Sequence, residues 1–410
     1  MYVETVFQIR PRALQIIEKM SEENDLPPIS IMVKPVSGAC NLRCRYCFYA
    51  DVASRRETEN FGVMSKKTLD DLVRRAFAYA DGEISFAFQG GEPTLAGVAF
   101  YREFLELERR YNTRGLKISN AIQTNCYNID DEWIKLFRDG NFLVGVSLDG
   151  TRELHDGCRL DASGGKTFDR VLENIRLLRN GGVEYNILCV VNGEVAKRPD
   201  EVFDTLKEHR YLQFIPCLDG FDGEKSEWSL DAEDYGRFLV GIFDRYEASW
   251  KCGSPVSIRI FDNWIGMLLG EPPESCALSG ICGKYFLVEA DGSVYPCDFY
   301  VLDKWKMGNI GESSFFRLAN SEISEKFAEE SKNLHPDCKN CEWFFICRGG
   351  CKRDCEPVCG GKRSENRLCK GHKIFFEERY DRLLAMAKKI AGGVKKIKPA
   401  RIQRTGFRLD

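Results

Sequence analysis

Three features of the sequence predict an α/β chain of six successive strand-and-helix units, followed by a smaller cysteine-bearing module. Short apolar runs alternate with segments of helical period between residues 31 and 249. Eleven of the eighteen cysteines lie beyond Lys251. The 410 residues, 43% hydrophobic and 30% charged, are enough for two or three ordinary globular domains. Strands are predicted at 31–36, 84–88, 116–122, 142–147, 185–191 and 212–215. Each precedes a helical stretch, at 65–80, 100–110, 131–138, 168–179, 201–208 and 232–249. Right-handed crossovers would wrap such units into a barrel or an open parallel sheet. One more amphipathic helix, 374–390, closes the second module.

Composition excludes several classes. Lys and Arg number 59 against 62 Asp and Glu, a net charge of -3, which lacks the overall basic field that nucleic-acid binding draws on. Residues 1–15 alternate polar and apolar side chains without the apolar core of a secretory signal. No run approaches the ~18 apolar residues of a membrane span. The expected compartment is a reducing cytoplasm, where clustered thiols hold metals or clusters more often than they form disulfides. The chain divides into a leader (1–29), a barrel (30–250), a cluster module (251–375) and a C-terminal helix with a basic tail (376–410). The tail opens with Gly392 and Gly393 and carries six Lys or Arg against one Asp over 391–410, the composition of a solvated segment.

The first strand runs into Cys40-Asn-Leu-Arg-Cys44-Arg-Tyr-Cys47. Three thiolates at this spacing can ligate three irons of a [4Fe-4S] cluster and leave the fourth iron open. A structural zinc site, the competing reading, needs four ligands, and no further Cys or His lies near the triad in sequence. Four other polar or glycine-rich spots follow strand ends, where barrels of this type keep their active residues. They are Gln89-Gly90-Gly91-Glu92-Pro93, Gln123-Thr124-Asn125, Ser147 with Asp149, and Asn192; Gln213 sits within the sixth strand. Glycines at 90 and 91 permit close approach of a ligand to the backbone.

The triad, with Tyr46 before its last cysteine, resembles the signature of the radical S-adenosylmethionine (AdoMet) enzymes. That resemblance implies a partial (β/α)6 TIM-type barrel. It also implies that the open iron chelates AdoMet and that reductive cleavage yields a hydrogen-abstracting 5′-deoxyadenosyl radical. By the same resemblance Gly90, Gly91 and Glu92 bind the methionine amino group, and Ser147 and Arg159 contact the ribose or carboxylate. Read alone, Ser147 is an ordinary strand-end hydroxyl and Arg159 a surface arginine, while His155 reads as a structural loop histidine.

Downstream, Cys282 is followed by Gly292 and Cys297, then by Cys338-x2-Cys341-x5-Cys347-x3-Cys351 and Cys369. This order resembles the SPASM extension, which holds auxiliary iron-sulfur clusters. With Cys276 it supplies eight thiolates, enough for two fully ligated [4Fe-4S] clusters and three clusters in all. A zinc ribbon on the C-x2-C pair leaves most of these cysteines unused. The family's interleaving implies Cys276, Cys282, Cys297 and Cys351 for the nearer cluster. It implies Cys338, Cys341, Cys347 and Cys369 for the outer one. Cys355 and Cys359 are extra candidates, and Cys126, Cys158, Cys189, Cys217 and Cys252 are scattered singly.

Across residues 31–372 the chain resembles the anaerobic sulfatase-maturating enzymes. The segments that carry this are Cys-Phe-Tyr-Ala at 47–50, Phe-Ala-Phe-Gln-Gly-Gly-Glu-Pro at 86–93, Asn-Ile-Leu-Cys-Val-Val at 186–191 and Tyr-Pro-Cys-Asp-Phe-Tyr-Val-Leu-Asp-Lys-Trp at 295–305. The resemblance implies oxidation of a Cys or Ser in a nascent sulfatase to Cα-formylglycine, with Asp298 as the base and Tyr49 and Gln89 as peptide contacts. It implies a flavodoxin- or ferredoxin-type reductant as a second partner, and no membrane or nucleic acid. The alternative for Asp298 is a turn carboxylate bonded to backbone. Two rival functions are a maturase that crosslinks or epimerises a ribosomal peptide and, in another class, a non-catalytic multi-cluster electron carrier.

Overall fold

The computed structural model describes residues 27–393; the leader before residue 27 and the basic tail beyond 393 lie outside the described residues. All six units form. Strands β1 (Ile29–Val33), β2 (Glu83–Phe88), β3 (Lys117–Thr124), β4 (Phe142–Ser147), β5 (Tyr185–Val191) and β6 (Tyr211–Pro216) lie parallel and side by side in chain order. β1 stops at Val33 rather than at 36. Pro35 has no N–H for a ladder, and Ser37 turns at φ 54°.

Four shorter strands extend this sheet: β7 (Ser257–Ile258), β8 (Phe286–Val288), β9 (Ser293–Tyr295) and β10 (Gly308–Asn309). The order is β10-β9-β8-β1-β2-β3-β4-β5-β6-β7, an open partial barrel whose edges are β7 and β10. β8, from the cysteine-rich region, runs parallel to β1 with Ile31 opposite Phe286 and Val33 opposite Val288. One continuous sheet therefore joins the two halves of the chain.

Alternation explains the layering. In β2 Ile84, Phe86 and Phe88 are buried while their neighbours are half-buried, as a period of two requires. Phe88 meets Tyr101 and Phe104 edge-on at ring-centroid separations of 5.0 and 4.8 Å. Each such buried ring is worth about 1.5–3 kcal/mol. The crossover helices start at side-chain caps. Ser65 accepts from the Thr68 N–H at 3.1 Å, and Asp130 accepts from the Glu132 and Trp133 N–H groups at 3.0 and 3.1 Å.

The last helix, Cys369–Gly393, lies along the helix Ala232–Lys251. A Cβ on Gly236 would sit 2.7 Å from the Gly371 carbonyl oxygen, so the two backbones touch there. Arg379 and Arg382 pair with Asp244 at 2.9 and 2.6 Å. Phe375 stacks on Trp264 at 4.8 Å, and Phe376 stacks on Trp343 at 5.4 Å. Both contacts pack the last helix against the cysteine-rich half of the chain. Among the described residues no helix is long and apolar enough to cross a membrane.

Candidate active site

The triad loop leaves the C-terminal end of β1 and crosses the open end of the partial barrel. Backbone bonds dock it there: the Arg43 N–H donates to the Leu160 carbonyl at 2.7 Å and the Arg45 N–H to the Cys158 carbonyl at 3.1 Å. The side chains around the sulfurs are polar. The Leu42 N–H lies 3.4 Å and Asn125 Nδ2 3.8 Å from Cys40 Sγ, while Arg159 Nη1 lies 3.8 Å from Cys44 Sγ. Burial pushes the Cys40 thiol up to about 12, against the Leu42 N–H, and the Cys44 thiol up to about 11, against the Arg159 guanidinium. Three thiols from one short loop, with the Leu42 and Asn125 N–H groups and the Arg159 guanidinium directed at the sulfurs, fit a thiolate-held cluster, whose negative charge those donors would offset.

The glycine pair after β2 completes the cradle. Gly90 and Gly91 have φ of 96° and 56°, open to glycine and strained for other residues. A Cβ on Gly91 would lie 2.2 Å from the Ala39 carbonyl oxygen, so the turn packs directly on the residue before Cys40. The Glu92 N–H donates to that same oxygen at 2.8 Å. The Glu92 carboxylate turns inward, 1% exposed, and accepts from Thr94 Oγ1, Thr124 Oγ1 and the Asn125 N–H at 2.7 Å each. It braces the turn against β3.

Ser147 ends β4, half-buried, with its hydroxyl accepting from Gln123 Nε2 at 3.1 Å. Arg159 is buried, not a surface residue. Its Nε lies 2.9 Å and its Nη2 3.4 Å from the two oxygens of Asp149, which is fully buried and also accepts from Tyr46 Oη and, at 2.9 Å, from the Val190 N–H. His155 is structural: its Nδ1 accepts from the Asp149 N–H at 3.3 Å and its Nε2 meets Thr167 Oγ1 at 3.0 Å. Burial lowers its pKa to about 4, so it is neutral. Asn192 caps the next helical turn, accepting from the Glu194 and Val195 N–H groups, and Gln213 accepts from Arg259 at 3.1 Å.

Asp298 follows Cys297 at the end of the β9 loop and is 8% exposed. Tyr49, from the helix that begins directly after the triad, donates to Asp298 Oδ2 at 2.7 Å. Gln89 Nε2 donates to Tyr49 Oη at 2.7 Å and reaches Asp298 Oδ2 at 3.5 Å. Oδ1 is buried and has no partner. Burial lifts the Asp298 pKa to about 6, opposed by Lys34 and by the Tyr49 hydrogen bond, with Glu289 adding to the rise. The three residues assigned to peptide handling thus meet at one point.

Eight of the remaining cysteines influence one another electrostatically in two sets. Cys282 feels Cys276; Cys297 feels Cys282 and Cys276; and Cys351 feels all three, each neighbour adding to a rise in proton affinity that burial dominates. In the second group Cys347 feels Cys338 and Cys341, and Cys369 feels Cys347. Cys355 is buried beside the second group, with Arg363 Nη2 2.9 Å from its sulfur, and Cys359 is exposed in a short hairpin with Lys362. Of the scattered cysteines, Cys126, Cys158, Cys189 and Cys217 are buried and Cys252 is exposed.

Sequence reasoning missed Asp149 as the anchor of Arg159, Asn125 as a neighbour of Cys40, and the buried Lys34 and Glu289 near Asp298. A charged residue at the C-terminal end of a barrel strand is the signal that Asp149 and Lys34 carried.

Residues 35–206 match the Radical SAM superfamily model, and residues 280–342 match that of an iron-sulfur cluster-binding domain, SPASM. A cysteine-type anaerobic sulfatase-maturating enzyme of Clostridium novyi (strain NT) is 45% identical over 88% of this chain and 98% of its own length. A serine-type anaerobic sulfatase-maturating enzyme of Bacteroides thetaiotaomicron is 33% identical over 85% of this chain and 89% of its own. The solved structure of native anSMEcpe with bound AdoMet and Cp18Cys peptide is 42% identical, has a TM-score of 0.85, and covers 89% of this chain and 100% of that one.

Proposed function

Because the chain belongs to the radical SAM/SPASM family, closely related to the anaerobic sulfatase-maturating enzymes that bind AdoMet and iron-sulfur clusters, we propose that it oxidises a cysteine or serine of a sulfatase polypeptide to Cα-formylglycine. Cysteine is the preferred target, since identity is 45% to a cysteine-type relative and 33% to a serine-type one. The observation that carries the proposal is the meeting of Asp298, Tyr49 and Gln89. A buried carboxylate with one unpartnered oxygen stands between the triad helix and a cysteine of the second module.

Cys40, Cys44 and Cys47 hold the AdoMet-binding [4Fe-4S] cluster in this reading. Cys276, Cys282, Cys297 and Cys351 hold the nearer auxiliary cluster, and Cys338, Cys341, Cys347 and Cys369 the outer one. When bound, the triad cluster would supply the electron that splits AdoMet and so the radical that takes a Cβ hydrogen, and the auxiliary clusters would take up the second electron of the oxidation. This chain's residues do the rest. Gly90 and Gly91 bring backbone against the methionine end of AdoMet, with Glu92 bracing them, and Ser147 and Arg159 address its ribose or carboxylate. Tyr49 and Gln89 hold the peptide, and Asp298 Oδ1 accepts the thiol or hydroxyl proton.

The barrel spans 30–250 and the cluster module 251–375, both cytoplasmic, with a flavodoxin- or ferredoxin-type reductant as the electron source. The test is anaerobic incubation of iron-loaded, reduced protein with AdoMet and a peptide carrying Cys-x-Pro-x-Arg or its Ser counterpart, followed by mass measurement. Replacement of sulfur by oxygen from water with loss of two hydrogens in the Cys peptide, or loss of two hydrogens alone in the Ser peptide, is expected; an unchanged mass with both rejects the function.

A further inference from the structure

Next to Asp298 lies a second set of buried charges that the sequence did not single out. Lys34, Arg56, Glu289 and Asp298 are 2%, 6%, 0% and 8% exposed, two cations and two carboxylates in one dry region. Lys34 follows β1 and Glu289 follows β8, so the parallel pairing of these strands sets the two side chains together, with Lys34 Nζ 3.1 Å from Glu289 Oε1. Arg56 Nη1 donates to the same oxygen at 2.6 Å. Glu289 Oε2 accepts from the Ala290 N–H at 3.1 Å, so the carboxylate is occupied on both sides.

Lys34 does more than pair with Glu289. Its ammonium lies 5.0 Å from the centre of the Tyr49 ring, whose hydroxyl is the donor to Asp298. Its alkyl chain fills the space behind Gly90, where an added Cβ would come within 2.4 Å of Cε. The ammonium also acts on Asp298 electrostatically. One side chain thus touches the glycine turn, the face of Tyr49 and the carboxylate that follows β8.

We propose that Lys34 is a positioning residue: its alkyl chain behind Gly90 and its ammonium over the Tyr49 ring fix the turn and the tyrosine relative to Asp298, so that the peptide's Cβ hydrogen and its acidic proton meet their acceptors in the same complex. Arg56 satisfies Glu289 without reaching Tyr49, so the ion pair alone does not perform this role. The proposal rests on the function given above, and its test separates the two.

Melting temperature and the ratio of oxidised peptide to 5′-deoxyadenosine are measured on the full, iron-loaded chain for wild type, Lys34→Met, Asp298→Asn, Lys34→Met with Asp298→Asn, and Glu289→Gln. Lys34→Met is expected to lower the ratio at least tenfold and to add nothing to the loss already caused by Asp298→Asn. The melting losses of the two single variants should sum to more than that of the double variant, because the two charges interact. Glu289→Gln should melt earlier yet lose less than threefold in the ratio. Equal ratio losses in Lys34→Met and Glu289→Gln, or additive melting losses, overturn the proposal. If wild type oxidises no peptide, the function fails while the melting cycle still decides on Lys34. Lys34→Gln enters the same cycle if Lys34→Met does not fold.

Discussion

The triad loop and the two distal cysteine groups hold their thiols by opposite means. Cys40, Cys44 and Cys47 lie within one short loop, and side chains from the sheet ends surround them: Asn125 from β3, and Arg159 locked by Asp149 beyond β4. The distal cysteines span 276 to 369 and meet only because the chain folds. Buried cations hold their framework. Lys352 Nζ lies 3.9, 4.5 and 5.2 Å from the ring centres of Phe327, Trp305 and Tyr300, and Arg363 donates to the carbonyls of Gly280, Ser331, Gly349 and Gly350. A site meant to take a small ligand is lined by oriented polar groups around incomplete ligation. The distal cysteines, which in the proposed function only pass electrons, sit in a framework of rings and backbone carbonyls.

The difference sets an order of effects. Replacing Cys40, Cys44 and Cys47 together by Ala should reduce AdoMet cleavage by about a thousandfold or more while about eight irons remain in the distal groups, at four per cluster. Iron analysis and 5′-deoxyadenosine assay check it, and loss of all iron would break the comparison. Next, Arg363→Met leaves the Gly280, Ser331 and Gly350 carbonyls and the Cys355 sulfur without its donors, while the Gly349 carbonyl keeps Asn366 Nδ2, at about 1–3 kcal/mol for each buried group left unpaired. Loss of about four irons with the triad cluster retained is the expected outcome. Asp149→Asn comes third. It keeps the shape but releases the buried charge of Arg159, and should weaken AdoMet cleavage by about 10–100-fold, as second-layer changes at metal sites do, with the iron content of both distal groups unchanged.

The smallest effect lies far from both regions, on helix Val98–Tyr111. Burial raises the Glu108 pKa from 4.5 to about 7, against hydrogen bonding from Asn120. A carboxyl raised in the folded state favours folding in its protonated form. Its contribution is full below the unfolded value and is lost as pH rises from about 5 through 7. Glu108→Gln should therefore narrow the difference in melting temperature between pH 5 and pH 8, by the equivalent of ~1–3 kcal/mol, and leave iron content unchanged.

The six strand-and-helix units were legible because their alternation of apolar runs and helical periods is local. β7 to β10 were not, since strands of two or three residues exist only through partners elsewhere in the chain. The triad was legible from spacing alone. The distal groups were legible as cysteines, but their division into two came from family resemblance, and nothing in the spacing links Cys297 to Cys351. Glu92 and Arg159 were visible as residues and not as geometry: one turns its carboxylate inward, and the other is held by an aspartate ten positions away. Lys34 was invisible because a lysine at a strand end is ordinarily solvated, and only the pairing of β1 with β8 buries it.

Electron paramagnetic resonance of the reduced, iron-loaded chain, recorded with and without AdoMet, tests the claim that the short loop and not the distal groups receives the ligand. AdoMet should shift the spectrum of wild type and leave that of the Cys40, Cys44 and Cys47 triple variant as it was. A wild-type spectrum indifferent to AdoMet, or a triple variant that still responds, would contradict it.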